Sequence, residues 1–278
     1  MKFAICNETF LDWPFDRAFA FAGECGYTGL EIAPFTLIDS TDGFDVRDVS
    51  ANRRAEVRRQ AEAAGLEVVG LHWLLAKTSG NHLTSPEARQ REATAEYLRA
   101  LARLCRDLGG SIMVFGSPQQ RNLLPGVSHA EGMKYAADVL RGALPACEDL
   151  DVTIAMEPLG PIEGDFLLTA ASAIELVEMV QSPYCQLHLD CKAMSSEALP
   201  IPDVIRASAD YLVHFHANDA NRLGPGMGDI DFAPILAALG EIDYRGWVSV
   251  EVFDYSPGVE RLARESIEYL GGVLNRLA

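Results

Sequence analysis

Eight times along this chain a short apolar run rich in β-branched residues gives way to a stretch with helical spacing. That alternation constrains the fold more than any other feature, because each apolar run suits a buried strand and each amphipathic stretch a covering helix. The strand-like runs are residues 2–10, 28–33, 67–74, 111–115, 153–157, 185–190, 212–216 and 248–253. Helices are expected over 14–25, 52–64, from Ser85-Pro86-Glu87 to Leu108, over 129–149, 169–180 and 201–209, after Phe232, and over 258–277. Ser-Pro-Glu joins an N-cap residue to a first-turn proline, while Gly65 and Gly109-Gly110 supply stops. A helix between two strands returns the chain to the same end of the sheet, so the strands are parallel. Eight such units specify α/β architecture of one kind, a single (β/α)8 TIM barrel. A doubly wound sheet would carry a glycine-rich fingerprint after its first strand, and the first loop here reads NETFLDWPF. The 278 residues suit one barrel of about 250 residues, and no linker or low-complexity segment divides 1–278.

Charge narrows the function classes. The chain has 23 basic and 40 acidic residues, a formal net charge of −17. A non-specific nucleic-acid binder or a protein of anionic membrane surfaces needs the opposite sign. There is no apolar run long enough for a transmembrane helix. The start, MKFAICNETF, lacks the continuous apolar stretch of a signal peptide. Cys6, Cys25, Cys105, Cys147, Cys185 and Cys191 form no CxxC pair. They read as reduced core thiols, and a cytoplasmic location is expected.

Barrel enzymes carry their reactive groups at the C-terminal ends of the strands. Here strand five ends in Glu157, strand six in His188 and Asp190, strand seven in His214 and His216, and strand eight in Glu251. Strand three ends in His72 and Trp73, and strand two carries Glu31. Residues i and i+2 share a face, so Glu157, Asp190, His216 and Glu251 can point into one mouth. Taken singly, a strand-end glutamate is a satisfied structural carboxylate and a strand histidine a core residue. Four such groups at four successive strand ends favour a metal site, since unpaired buried carboxylates are costly. Three carboxylates and one imidazole suit Mn²⁺, Mg²⁺ or Co²⁺ better than a thiolate-seeking structural zinc. GPGMGD at 224–229 lacks the lysine of a nucleotide-binding loop and reads as a rim turn.

At MEP (156–158), LDCKAM (189–194), HFHANDANRLGPGMGDIDF (214–232) and VSVEVF (248–253) the chain resembles the xylose isomerase-like barrel superfamily. Within the sugar phosphate isomerase/epimerase group it is most similar to ketose 3-epimerases of the D-tagatose/D-psicose kind. The resemblance covers nearly the whole chain. It implies one divalent metal, Mn²⁺ being the expected ion with Mg²⁺, Co²⁺ or Zn²⁺ as alternatives, held by Glu157, Asp190, His216 and Glu251. It implies substrate contacts at Glu163 and Arg222. It also leads one to expect a histidine three residues after the metal aspartate, where this chain has Ala193 beside Lys192. As a neighbour in extended chain, Lys192 is expected to point away from the site. Relatives of this kind often pair, so a homodimer is expected.

The chemistry suits these residues. Removing a proton beside a carbonyl needs a group that stabilises the resulting oxyanion and two carboxylates to take and return the proton. Glu157 and Glu251 are the expected acid–base pair. His188, His72 and Trp73 are expected to contact or orient a small carbohydrate. The function expected is a metal-dependent sugar isomerase or epimerase. Alternatives are an inosose-type dehydratase on the same barrel and a non-catalytic sugar-binding protein. A DNA-repair endonuclease of the same barrel class needs a histidine-rich multi-zinc site and a basic face, and the six histidines and the charge of −17 speak against it.

Overall fold

The computed structural model describes residues 1–11, 13–38 and 43–277. The strands are β1 (Lys2–Cys6), β2 (Gly29–Ile32), β3 (Glu67–Leu71), β4 (Ile112–Phe115), β5 (Thr153–Met156), β6 (Cys185–Asp190), β7 (Leu212–Ala217) and β8 (Trp247–Val250). They close into a barrel in chain order. Every neighbouring pair is parallel, and β8 pairs with β1 through Lys2↔Trp247 to Ile5↔Val250. The helices are α1 (Phe15–Cys25), α2 (Ala51–Ala63), α3 (Ala88–Leu108), α4 (His129–Leu150), α5 (Ala170–Val180), α6 (Cys191–Met194), α7 (Ile201–Ala207), α8 (Phe232–Glu241) and α9 (Val259–Leu277). This is the (β/α)8 barrel that the alternation demands.

Local chemistry sets the ends. Ser50 caps α2 by accepting from the Arg53 N–H, and Ser128 with Glu131 makes a reciprocal capping box on α4. The start expected for α3 at Ser85 moves to Ala88. The Ser85 hydroxyl instead accepts from the Glu87 N–H and donates to Gln90. Strands end earlier than their apolar runs. β1 stops at Cys6 rather than residue 10, and Asn7–Phe10 forms a 3₁₀ turn. Its ladder partners run out there, and the Asn7 side chain accepts from the Ala33 N–H at 2.7 Å and donates to Thr36. β3 stops at Leu71 rather than residue 74, and Trp73 two residues on takes a left-handed backbone, φ 54°.

The apolar core lies between the barrel wall and the helices, with Leu30, Ile32, Leu71, Leu98, Leu101 and Phe115 fully buried. Gly70 permits the close approach of β3 to β4, because a Cβ there would overlap the Ile112 carbonyl. Inside the barrel, towards the C-terminal mouth, the filling is polar. Cys6, Glu31, His188, His214, His216 and Ser249 are all completely or almost completely buried there. Among the described residues no helix is long and apolar enough to cross a membrane.

Candidate active site

The strand ends β5 to β8 bring Glu157, Asp190, His216 and Glu251 together. Each offers a ligand atom within 4.8 Å of the others. Glu157 is 7% exposed and His216 is 0% exposed. Gly116, just beyond β4, leaves room for the Glu157 carboxylate, since a Cβ at that position would overlap Glu157 Oε2. The Asp190 carboxylate accepts from the Ala193 N–H at 2.8 Å and from the Asn218 amide at 2.5 Å. These bonds aim its free lone pairs at the same point.

His216 is held from behind. Its Nε2 lies 3.1 Å from both oxygens of Glu31, and its Nδ1 lies 3.0 Å from Glu251 Oε2. Glu31 also accepts from His214 Nε2 at 2.7 Å. Burial opposes the charge on Glu31, yet His214 and His216 outweigh it and hold the carboxyl well below its usual range. Burial likewise opposes the imidazolium of His216, but Glu31 and Glu251 push it well above 6.5. These charges favour the protonated ring, whose Nδ1 faces Glu251. Burial, reinforced by Glu251 and Asp190, pushes Glu157 well above its usual range. Burial also raises Asp190, whereas His216 holds Glu251 down in spite of burial.

Such a cluster fits a divalent cation. The 3.0 Å edge between His216 Nδ1 and Glu251 Oε2 matches two ligands about 2.1 Å from one ion at the near-90° angle of octahedral coordination. The dication would replace the Nδ1 proton and relieve the mutual repulsion of three buried carboxylates. A second convergent set, Cys6, Glu8, His72 and Glu251, shares one of these residues. Burial pushes its thiol up to about 11, which leaves it a weak ligand.

Above the cluster opens a cavity of about 400 Å³. Glu157 and Glu251 form part of its floor, and His72, Trp73, Glu163 and Arg222 are in its lining. Trp73 donates its indole N–H to Glu251 Oε1 at 3.0 Å, and His72 Nε2 lies 2.5 Å from Glu8 Oε2. Trp73 and Arg222 (φ 75°) are both left-handed, a conformation that costs a bulky residue about 1 kcal/mol or more and clusters at functional sites. The Arg222 carbonyl accepts from the Phe253 and Asp254 N–H groups, which fixes that loop.

His188 stands apart from the cavity. It is fully buried below Asp190, 4.2 Å from the His216 ring, and among the described residues neither of its nitrogens meets a hydrogen-bond partner. Burial holds its imidazole well below 6.5, hence neutral. Lys192 departs from expectation. The chain after Asp190 is the helical turn α6 rather than extended, and this sends Lys192 into the cavity, where it donates to Glu163 at 2.6 Å. Strand parity cannot apply past the last strand residue, which is why the reading failed.

Four contributors escaped the sequence reading. Glu8 sits in the 3₁₀ turn Asn7–Phe10, past the end of β1. Asn218 was legible by parity, two residues after His216. Phe253 lines the cavity beyond the end of β8. Arg121, fully buried, donates to the carbonyls of Phe115, Glu157, Phe166 and Leu167, so it ties the ends of β4 and β5 to the following loop.

The barrel and its site define a class of α/β barrels with a carboxylate–histidine cluster at the mouth. Residues 19–272 match the family model described as xylose isomerase-like TIM barrel, and the chain belongs to that family. A probable ketose 3-epimerase of Synechocystis is 25% identical, over 92% of this chain and 89% of its own length. A D-psicose 3-epimerase of Enterocloster bolteae is 37% identical over a shorter stretch, 41% of this chain and 38% of that protein. The solved D-psicose 3-epimerase with D-tagatose from Clostridium cellulolyticum superposes with a TM-score of 0.86 at 20% identity, covering 99% of both chains. At that identity the superposition establishes the fold alone.

Proposed function

We propose that this chain is a divalent-metal-dependent epimerase of a small ketose. The observation that carries the reading is the convergence of Glu157 and Glu251 on one cavity floor together with Asp190 and His216. The relatives named as ketose and psicose 3-epimerases support the choice of substrate class. A divalent ion, Mn²⁺ by preference, held by Glu157, Asp190, His216 and Glu251, supplies positive charge for oxyanion stabilisation.

The chain's own groups supply the rest. One glutamate carboxylate takes the proton from the carbon beside the carbonyl; the C–H electron pair becomes a carbon–carbon double bond and the carbonyl π pair moves onto its oxygen, giving an enediolate. The other glutamate, protonated, returns a proton to the opposite face of that carbon. No atom is gained or lost, and configuration inverts. The two environments pull the pair apart, burial raising Glu157 while His216 holds Glu251 down, which suits one carboxyl to carry a proton and the other to take one. Trp73 and Phe253 present apolar walls to the C–H faces of the substrate, while Glu163 and Arg222 offer contacts to its oxygens. Ala193 removes the imidazole that the epimerase pattern places there, which alters the choice of sugar without touching the proton-transfer pair.

The test is solvent-proton exchange. The Mn²⁺-loaded protein is incubated with D-fructose, D-psicose and D-tagatose in D₂O, and the deuterated carbon is located by NMR. Exchange at one carbon with formation of its epimer is expected. Glu157→Gln and Glu251→Gln should each lower the rate by about 10²–10⁴ while thermal unfolding stays cooperative. Deuterium at the neighbouring carbon with aldose formation indicates an isomerase, and loss of water a dehydratase. Either result replaces the epimerase assignment.

A further inference from the structure

Lys192 occupies a place in the cavity that the metal cluster and the proton-transfer pair do not use. It is fixed at several points. The Asp190 carboxylate caps the turn that carries it, and its own backbone N–H donates to Asn218 Oδ1 at 2.9 Å. Its ammonium lies 4.7 Å from the centre of the Phe253 ring and 2.6 Å from Glu163 Oε1, with the side chain 13% exposed. An ammonium has three donors, and among the described residues the side chain spends one, on Glu163. Glu163 Oε2 takes no side-chain hydrogen bond among those residues. The pair therefore faces the cavity with free donors and a free acceptor side by side.

We propose that the Lys192–Glu163 ion pair is the specificity element of the cavity and reads two adjacent oxygens of a neutral polyhydroxy ketone. Lys192 donates to one oxygen, and Glu163 accepts from the hydroxyl carrying the other. The inference rests on the ketose reading of the site and says which ketoses enter it. The pair is neutral overall, so an anionic group brought to Lys192 would also meet the Glu163 carboxylate. The imidazole missing at Ala193 is thus replaced by a donor one residue earlier, delivered by the helical turn.

The test measures binding and exchange separately on the Mn²⁺-loaded protein. Calorimetric titration uses D-tagatose and D-fructose as neutral probes and 5-keto-D-gluconate as an acidic one. Lys192→Met and Glu163→Gln should each weaken binding of the neutral ketoses at least roughly tenfold. The double variant should cost no more than the worse single one, because the two groups act as a unit. Lys192→Arg, which keeps a donor, should recover part of the loss, and melting curves show that the variants fold. If Lys192→Met spares the neutral ketoses, or weakens only the acidic probe, the proposal is overturned. Failure of the epimerase reading looks different. The wild-type protein would then bind neutral ketoses in a Lys192-dependent way yet exchange no deuterium. A wild-type protein that binds none of the probes overturns both.

Discussion

Glu31 decides which nitrogen of His216 is available to a ligand. By accepting at Nε2 it fixes the ring plane and turns Nδ1 towards Asp190, Glu157 and Glu251. Partners of this kind orient and strengthen metal-binding imidazoles. Glu31→Gln keeps the volume and removes the charge, so Mn²⁺ affinity should fall about 10- to 100-fold, as read by competition with a chelator. Unchanged affinity would remove Glu31 from the account. The residue was legible as an unusual glutamate in an apolar strand, but its role was not, because its partners lie across the barrel on β7. The same limit hid Glu8, whose significance comes from His72 on another strand end. The four residues that converge, Glu157, Asp190, His216 and Glu251, were legible because each stands at the end of its own apolar run, a local signal.

At the scale of elements, strand existence was readable and strand ends were not. A buried parallel strand leaves an apolar run, whereas its termination depends on where neighbours stop pairing and on side chains such as Asn7 that capture backbone groups. Two glycines beside β4 separate these levels experimentally. At Gly70 an added methyl meets the rigid Ile112 carbonyl of the neighbouring strand, so Gly70→Ala should lower stability by about 3 kcal/mol. At Gly116 it meets the Glu157 carboxylate, a side chain that can swing away. Gly116→Ala should cost only about 1 kcal/mol yet lower metal affinity, since Glu157 leaves the cluster. Denaturant unfolding and metal titration of the two variants should give opposite rankings. Equal metal affinity in Gly116→Ala and wild type would refute the packing role assigned to that glycine.

At the scale of the whole molecule, stability depends on every buried ionisable group, and His82 offers a contribution that can be isolated. It lies on the segment between β3 and α3, outside the residues that line the cavity, with its backbone N–H bonded to Thr94. Burial alone lowers its affinity for a proton below the usual 6.5. The unfolded chain therefore binds this proton at higher pH than the folded one does, and stability falls as pH drops below about 6.5. His82→Gln should flatten the pH dependence of unfolding in that range and leave it unchanged above neutrality, as measured by urea midpoints. An identical slope in both proteins would count against the assignment. Closure of the ring has a consequence for biosynthesis. β1 is finished when the first few residues have left the ribosome, but its second partner, β8, begins at Trp247. At ~5–20 residues per second the nascent chain carries an open strand edge for on the order of tens of seconds. During that interval Cys6 and Glu31 lack the histidines of β7 that bury beside them. The first half of the barrel is thus the part a chaperone would have to shelter, and the cluster of Glu157, Asp190, His216 and Glu251, drawn from the last four strands, can assemble only after that wait has ended.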